Sequence, residues 1–436
     1  MTTAATSLHH QVLHVTGGRP LSGRIQVQGG KNIALHLYAA ALLADQPLVL
    51  HQAPGILDTG VCAAILTRAG TDTRVRGDRF EVSPAAALRP VVDRELGAKV
   101  RTTAVLAAAV LARAGRVGFP APGGDAFCSR LIDRHLAAME AAGAKVTVDE
   151  QGRSLSAVCA PGGLRAFRTD AATDYGPSLG ATVTALLLAA RAPGTSLIVN
   201  PSIEPEVTET ARFLAERGVR TLWDDEGLHV RGTDRIAGGA FTIAGDRIEA
   251  ATMIAVAAAT GGGVELDGIT PAELPGGLRH ALTAAGVILS DRPGGLAAAT
   301  GPDGLHGADV RTGPHPGLPT DTAPQLGALL TLARGTSSVL ETVYPRRDTH
   351  VEGLRALGAN ITSSGQLVSI CGVPRLRPAA VRAADIRAVT ALLIAALTAE
   401  GTSTIGGMYH LARGYGRLLP NLGALGADIT THAEAP

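Results

Sequence analysis

Aromatic residues make up only 3% of this 436-residue chain, with a single tryptophan. A surface that stacks nucleic-acid bases needs such rings, so their scarcity argues against a single-strand binding platform. Charge of one sign is equally scarce. Thirty-nine Lys and Arg face 38 Asp and Glu, and no long basic run exists, which argues against a nucleic-acid partner in general. The four cysteines (Cys62, Cys128, Cys159 and Cys371) show no C-x-x-C spacing, so neither a zinc site nor a redox pair is implied. The longest apolar runs, such as 184–190, are too short to cross a bilayer, and no secretory h-region stands near the start. The chain reads as soluble and cytoplasmic, with no membrane partner.

What the chain does contain is a repeat. Gly70, Gly143, Gly218, Gly286, Gly358 and Gly426 each follow, four residues on, a large apolar residue: Leu66, Met139, Leu214, Leu282, Leu354 and Leu422. The glycines are 73, 75, 68, 72 and 68 residues apart, so six copies of one unit fill the chain. The apolar residue ends an amphipathic helix, and the glycine takes the left-handed conformation that closes it. A strand-like run follows, as in Ala144-Lys145-Val146-Thr147-Val148. Six alanine-rich segments alternate with these, apolar all round and so predicted to be buried helices. A chain of this length exceeds one core, and two domains of three units is the natural division.

The starts of the buried helices carry more polar groups than capping needs. They are Gly29-Gly30-Lys31-Asn32, Arg101-Thr102-Thr103, Ser178-Leu179-Gly180, Asp246-Arg247, Thr320-Asp321 and Asp385-Ile386-Arg387. Ser178, Thr320 and the aspartates also suit plain caps, and the residues alone leave both readings open. Lys31, Arg101 and Arg387 are not caps. A cation at a helix N-terminus opposes the dipole, so either an anionic ligand or a nearby carboxylate must compensate. Further arginines, Arg130, Arg346, Arg347 and Arg413, stand in loops before the amphipathic helices. Guanidinium groups suit bidentate recognition of carboxylate and phosphate. Together they predict a small, multiply charged anionic substrate.

In these segments the chain resembles the UDP-N-acetylglucosamine enolpyruvyl transferases, which share a superfamily with the shikimate-pathway enolpyruvyl transferase. The resemblance runs from about residue 12 to 431. Besides the helix starts above it rests on the Pro-Gly-Gly loop at 122–130, Glu204-Pro205-Glu206, Asp246-Arg247-Ile248-Glu249 and Arg413-Gly414-Tyr415. It implies an α/β fold: a two-domain inside-out α/β barrel of six βαβαββ-type units. One domain would span 31–245, with a mobile loop at 121–130. The other would join 11–29 to 247–431, with the active site in the cleft between them. It also implies the reaction: transfer of enolpyruvyl from phosphoenolpyruvate to a hydroxyl of a uridine nucleotide, with release of phosphate and no metal or organic cofactor. By resemblance, Lys31, Arg130 and Arg413 hold phosphoenolpyruvate, Arg347 and Arg387 lie near its carboxylate, and Arg101 supports closure or phosphate binding. Asp321 matches the residue usually assigned as base. Asn32, Asp133, Ser178, Gly180 and Val343 are the remaining substrate-binding positions.

The departures matter too. The family's loop cysteine, the target of fosfomycin, is Asp125 here; an acid at that position can donate a proton if burial raises its pKa. Cys128 reads as a bystander. On the acceptor side, Gly176 replaces a lysine that contacts the diphosphate, Ile203 an arginine and Leu131 a proline beside the uracil. Val105 replaces a tryptophan and Ala412 an aspartate. Two acceptors therefore stand: the 3-hydroxyl of UDP-N-acetylglucosamine, at the first committed step of peptidoglycan precursor synthesis, or UMP or a related nucleotide in nucleoside natural-product assembly. A non-catalytic nucleotide-binding member is disfavoured by the intact donor residues.

Overall fold

The computed structural model describes residues 10–124, 131–344 and 346–434. The chain divides into two compact units, one of residues 1–28 with 245–436 and the other of residues 29–244, each with its own apolar core.

Three inner helices form the centre of each unit. In one they are Lys31–Ala41, Thr103–Ala114 and Leu179–Ala189; in the other, Arg247–Thr260, Ala323–Leu330 and Ile386–Thr398. Nearly every residue of these helices is buried, and alanine lets them approach closely: Thr103–Ala114 packs on Leu179–Ala189, and Ala323–Leu330 on Ile386–Thr398.

Six outer helices end in the repeated glycine. They are Leu57–Arg68, Asp133–Ala141, Pro205–Ala215, Gly276–Ala284, Val351–Ala356 and Leu418–Ala424. The six apolar residues four positions before the glycines are 0–1% exposed. All six glycines have positive φ, between 90° and 109°, a region where a side chain is strained. Gly218→Ala has room for its methyl, the nearest atom being Arg235 O at 3.7 Å, so its effect isolates the backbone. It is expected to cost about 1–2 kcal/mol and lower the melting temperature by several degrees. An unchanged melting curve would refute the strain argument.

Five sheets share one four-stranded pattern. In 239–242, 48–51, 79–83 and 72–76, the first two strands are parallel and the rest form an antiparallel ladder closed by a hairpin. A sixth sheet, 116–120, 154–159 and 144–148, has three strands; a single parallel bridge from Val91 to Gly118 stands where its fourth would be. The sheet nearest the termini keeps the four-stranded order but draws one strand from far away in sequence. There Gln11–Gly17 lies between Gly401–Gly406 and Asp428–Ala433, antiparallel to both. The sixth repeat thus takes its central hairpin strand from the start of the chain.

Candidate functional site

The inner helix starts are where the sequence placed its unexplained charges. Ser178, Asp246 and Asp385 do cap their helices, each accepting from one or two N–H groups of the first turn. Thr320 does not. Pro324 delays the helix to Ala323, and a single 3-10 turn, Thr320–Thr322, precedes it. The Thr320 hydroxyl instead donates to Glu341 Oε2 at 2.7 Å.

Asp321 is the centre of a charged cluster. Its Oδ1 lies 2.7 Å from Arg347 Nη2, and its Oδ2 accepts from Arg387 Nη2 at 2.6 Å. The two guanidinium side chains are 4% and 5% exposed, the carboxylate 24%, so the cations form the floor and the acid the accessible rim. Burial works against the charge on Arg387, but Asp321, Tyr415 and Asp246 outweigh it and hold its pKa above the ordinary value. Glu341, itself buried, gathers Thr312 Oγ1, Thr320 Oγ1 and the backbone N–H groups of Val343 and Tyr344 at 2.7–2.9 Å. It therefore fixes the segment bearing Val343. Arg413 is also buried, in the last turn of Met408–Gly414, where the dipole favours a cation.

In the other unit, Lys31 opens its helix behind Gly30 and pairs with Asp58 at 2.9 Å. Both side chains are at least nine-tenths buried. For Lys31 and Arg387 alike, a carboxylate of the protein balances the charge. Asn32 follows Lys31, and Asp133, mostly exposed, starts its outer helix. Gly180 owes its identity to His135: a Cβ there would stand 2.8 Å from the imidazole. His135 Nδ1 in turn meets Thr184 Oγ1 at 2.7 Å. Burial, then Arg101 and His36, push the His135 pKa down to about 3. The structure thus brings Arg101, His36 and His135 toward the Ser178–Gly180 helix start. Sequence reading missed both histidines, although His135 stands two residues after Asp133. Asp125, Arg130 and Cys128 lie outside the described residues, as does most of the loop at 121–130. Among the described residues, no group of three or more His, Cys, Asp or Glu is placed to hold a metal. No helix among them is long and apolar enough to cross a membrane.

Three buried histidines give the fold an acid sensitivity. Burial lowers His36 and His350 to about 4 and His135 to about 3. Their unfolded forms protonate near 6.5, so the unfolded chain binds more protons as pH falls from 6.5 toward 4, and stability is lost in that window. The loss is up to about 2 kcal/mol per histidine at pH 5. Glu249, pushed by burial up to about 8, works in the opposite sense, but as one group against three. The melting temperature is expected to fall between pH 7 and pH 5, and a constant value would contradict the three neutral imidazoles.

A family model described as EPSP synthase (3-phosphoshikimate 1-carboxyvinyltransferase) matches residues 15–422. A UDP-N-acetylglucosamine 1-carboxyvinyltransferase from Hyphomonas neptunium is 38% identical over 422 residues, 96% of this chain and 97% of that protein. One from Rhodospirillum centenum is 36% identical over 428 residues, 96% and 98% of the two chains. Among solved structures, the enolpyruvyl transferase NikO from Streptomyces tendae matches with a TM-score of 0.87 at 25% identity, covering 98% of this chain and 99% of that one. EPSP synthase from Acinetobacter baumannii shares the fold, with a TM-score of 0.75 at 16% identity over 97% and 99% of the chains.

Proposed function

This chain belongs to the EPSP synthase family of enolpyruvyl transferases, and from that membership we propose that it transfers the enolpyruvyl group of phosphoenolpyruvate to the 3-hydroxyl of UDP-N-acetylglucosamine, releasing phosphate. The observation that carries the reading is the Asp321 carboxylate held at the exposed rim of two buried guanidinium groups, in a chain 38% identical to a named UDP-N-acetylglucosamine 1-carboxyvinyltransferase across 96% of its length.

Both arginines engage the one Asp321 carboxylate. An arriving substrate carboxylate competes for the same guanidinium groups, because two parallel N–H donors serve either anion equally. As phosphoenolpyruvate takes over Arg347 and Arg387, an Asp321 oxygen is released to accept the proton of the attacking hydroxyl. Lys31 and Arg413 meet the phosphate and stabilise the charge on the leaving group. Asp125 supplies the proton to the methylene carbon. The acceptor oxygen attacks C2 as C3 gains the proton from Asp125; a C3 proton then returns to the Asp125 carboxylate as the C2–O bond breaks, which releases phosphate and restores the double bond.

The substitutions at Gly176 and Ile203 favour a second reading, a smaller uridine nucleotide such as UMP as acceptor. Gly176 lies in the hairpin just before the Ser178 cap, and Ile203 follows Ser202, whose N–H donates to Thr182 in the same helix. Neither side chain offers a charge to a diphosphate. Phosphate release from phosphoenolpyruvate with each acceptor in turn decides between them: turnover with UDP-N-acetylglucosamine and none with UMP supports the first, and the reverse overturns it. With Asp125 in place of the loop cysteine, activity should also persist in fosfomycin, since an epoxide alkylates a thiolate far more readily than a carboxylate. A covalent adduct on Cys128 with loss of activity would contradict this.

A further inference from the structure

Gln28 is the last residue of its unit before the chain passes into the other, and it is buried. Burial at such a point suits an apolar side chain. A carboxamide costs free energy there unless its atoms find partners. Here the backbone and both ends of the side chain do. The Gln28 N–H donates to Glu249 Oε2 at 2.7 Å, and its carbonyl accepts from Asp246 N at 2.9 Å. Nε2 donates to the Gly414 carbonyl at 3.1 Å, and Oε1 accepts from the Gly416 N–H at 3.2 Å. The side chain therefore grips the peptide groups on either side of Tyr415, as a neighbouring strand would, while its own backbone is anchored to the start of Arg247–Thr260.

Tyr415 is 5% exposed. Its hydroxyl oxygen accepts from Arg387 Nη1 at 2.9 Å, with Thr252 Oγ1 and Gln325 Nε2 at 3.4 and 3.5 Å. Arg387 gives its other terminal nitrogen to Asp321 at 2.6 Å. Arg413 immediately precedes Gly414. One carboxamide thus stands behind both the arginine that meets the donor phosphate and the arginine that meets the proposed base.

We propose that Gln28 and Tyr415 are positioning residues for the enolpyruvyl transfer: Gln28 fixes the turn through Gly414 and Gly416, and the turn presents Arg413 and holds Tyr415 where its hydroxyl orients Arg387 against Asp321. The inference rests on the proposed function for its kinetic consequence, though not for the geometry.

The test is a double-mutant cycle of Gln28→Leu and Tyr415→Phe. Each single variant is expected to lower kcat by about 10–100-fold, the scale of a misplaced catalytic group, with KM for the uridine nucleotide within about 3-fold. The pair should be little worse than Gln28→Leu alone, because Tyr415 acts on Arg387 only from the position in which Gln28 holds it. Losses that multiply, or that fall on KM alone, overturn the proposal. So does a normal kcat in Tyr415→Phe, which keeps the ring and serves as the test if Gln28→Leu does not fold. Amide hydrogen exchange over 411–417 reads positioning without turnover. It should quicken in Gln28→Leu while the rest of the unit is unchanged, and an unaltered rate there overturns the proposal. Wild-type protein inert toward every uridine nucleotide would sink the functional reading, and the exchange measurement would still judge this one.

Discussion

Asp321→Asn is expected to lower turnover by about 10²–10⁴-fold, the range of a lost general base, while uridine nucleotide binding survives. The amide keeps the shape, but its one oxygen can accept from only one of Arg347 and Arg387, and its NH2 faces the other. It cannot take a proton from the acceptor hydroxyl. It also leaves two buried guanidinium groups with no counter-charge from this residue, which should tighten binding of the phosphoenolpyruvate carboxylate. The expected signature is therefore a fallen kcat with a KM for phosphoenolpyruvate that does not rise. Phosphate release and calorimetric titration of the nucleotide check it. Lost nucleotide binding with otherwise normal turnover would make Asp321 an anchor for the acceptor and not its base.

Lys31→Ala should cost at least ~100-fold in turnover, because a charge-assisted contact to the reacting anion acts in the transition state. It should also destabilise the protein, since Asp58 would remain buried opposite a missing cation. These effects can be separated. In Lys31→Ala/Asp58→Asn the buried charge is gone, so the melting temperature should recover much of its loss while turnover stays low. If turnover recovers with stability, Lys31 is a structural cation and the donor-site assignment fails. Near-normal turnover in Lys31→Ala with phosphoenolpyruvate saturating would have the same meaning.

The repeated glycines and the leucines before them were legible because helix closure is local: four residues carry both the apolar anchor and the left-handed turn. The inner helices were legible from their unbroken apolar surface. The caps at Ser178, Asp246 and Asp385 were open to two readings, and only geometry separated them from Thr320, whose hydroxyl turns to Glu341. The partners of the cations were not legible. Asp58 lies 27 positions from Lys31, and Asp321 lies 66 from Arg387; no periodicity links residues on different elements. Gln28 was missed for a related reason. It stands beside a recognisable motif, but its meaning comes from peptide groups almost 390 residues away.

The placement of Gln11–Gly17 in the sheet nearest the termini has a consequence for how the protein comes to exist in a cell. This strand leaves the ribosome long before one of its partners, Asp428–Ala433, is made. About 400 residues must be added in between, on the order of tens of seconds at ~5–20 residues per second. The unit of residues 29–244 is continuous in sequence, so it can fold and bury its core while synthesis proceeds. The other unit cannot complete its last sheet until Asp428–Ala433 has been made, and Gln11–Gly17 waits without either partner strand for most of that interval. Growth temperature, chaperone supply and truncation near the C-terminus should therefore bear on the yield of this unit far more than on that of its companion.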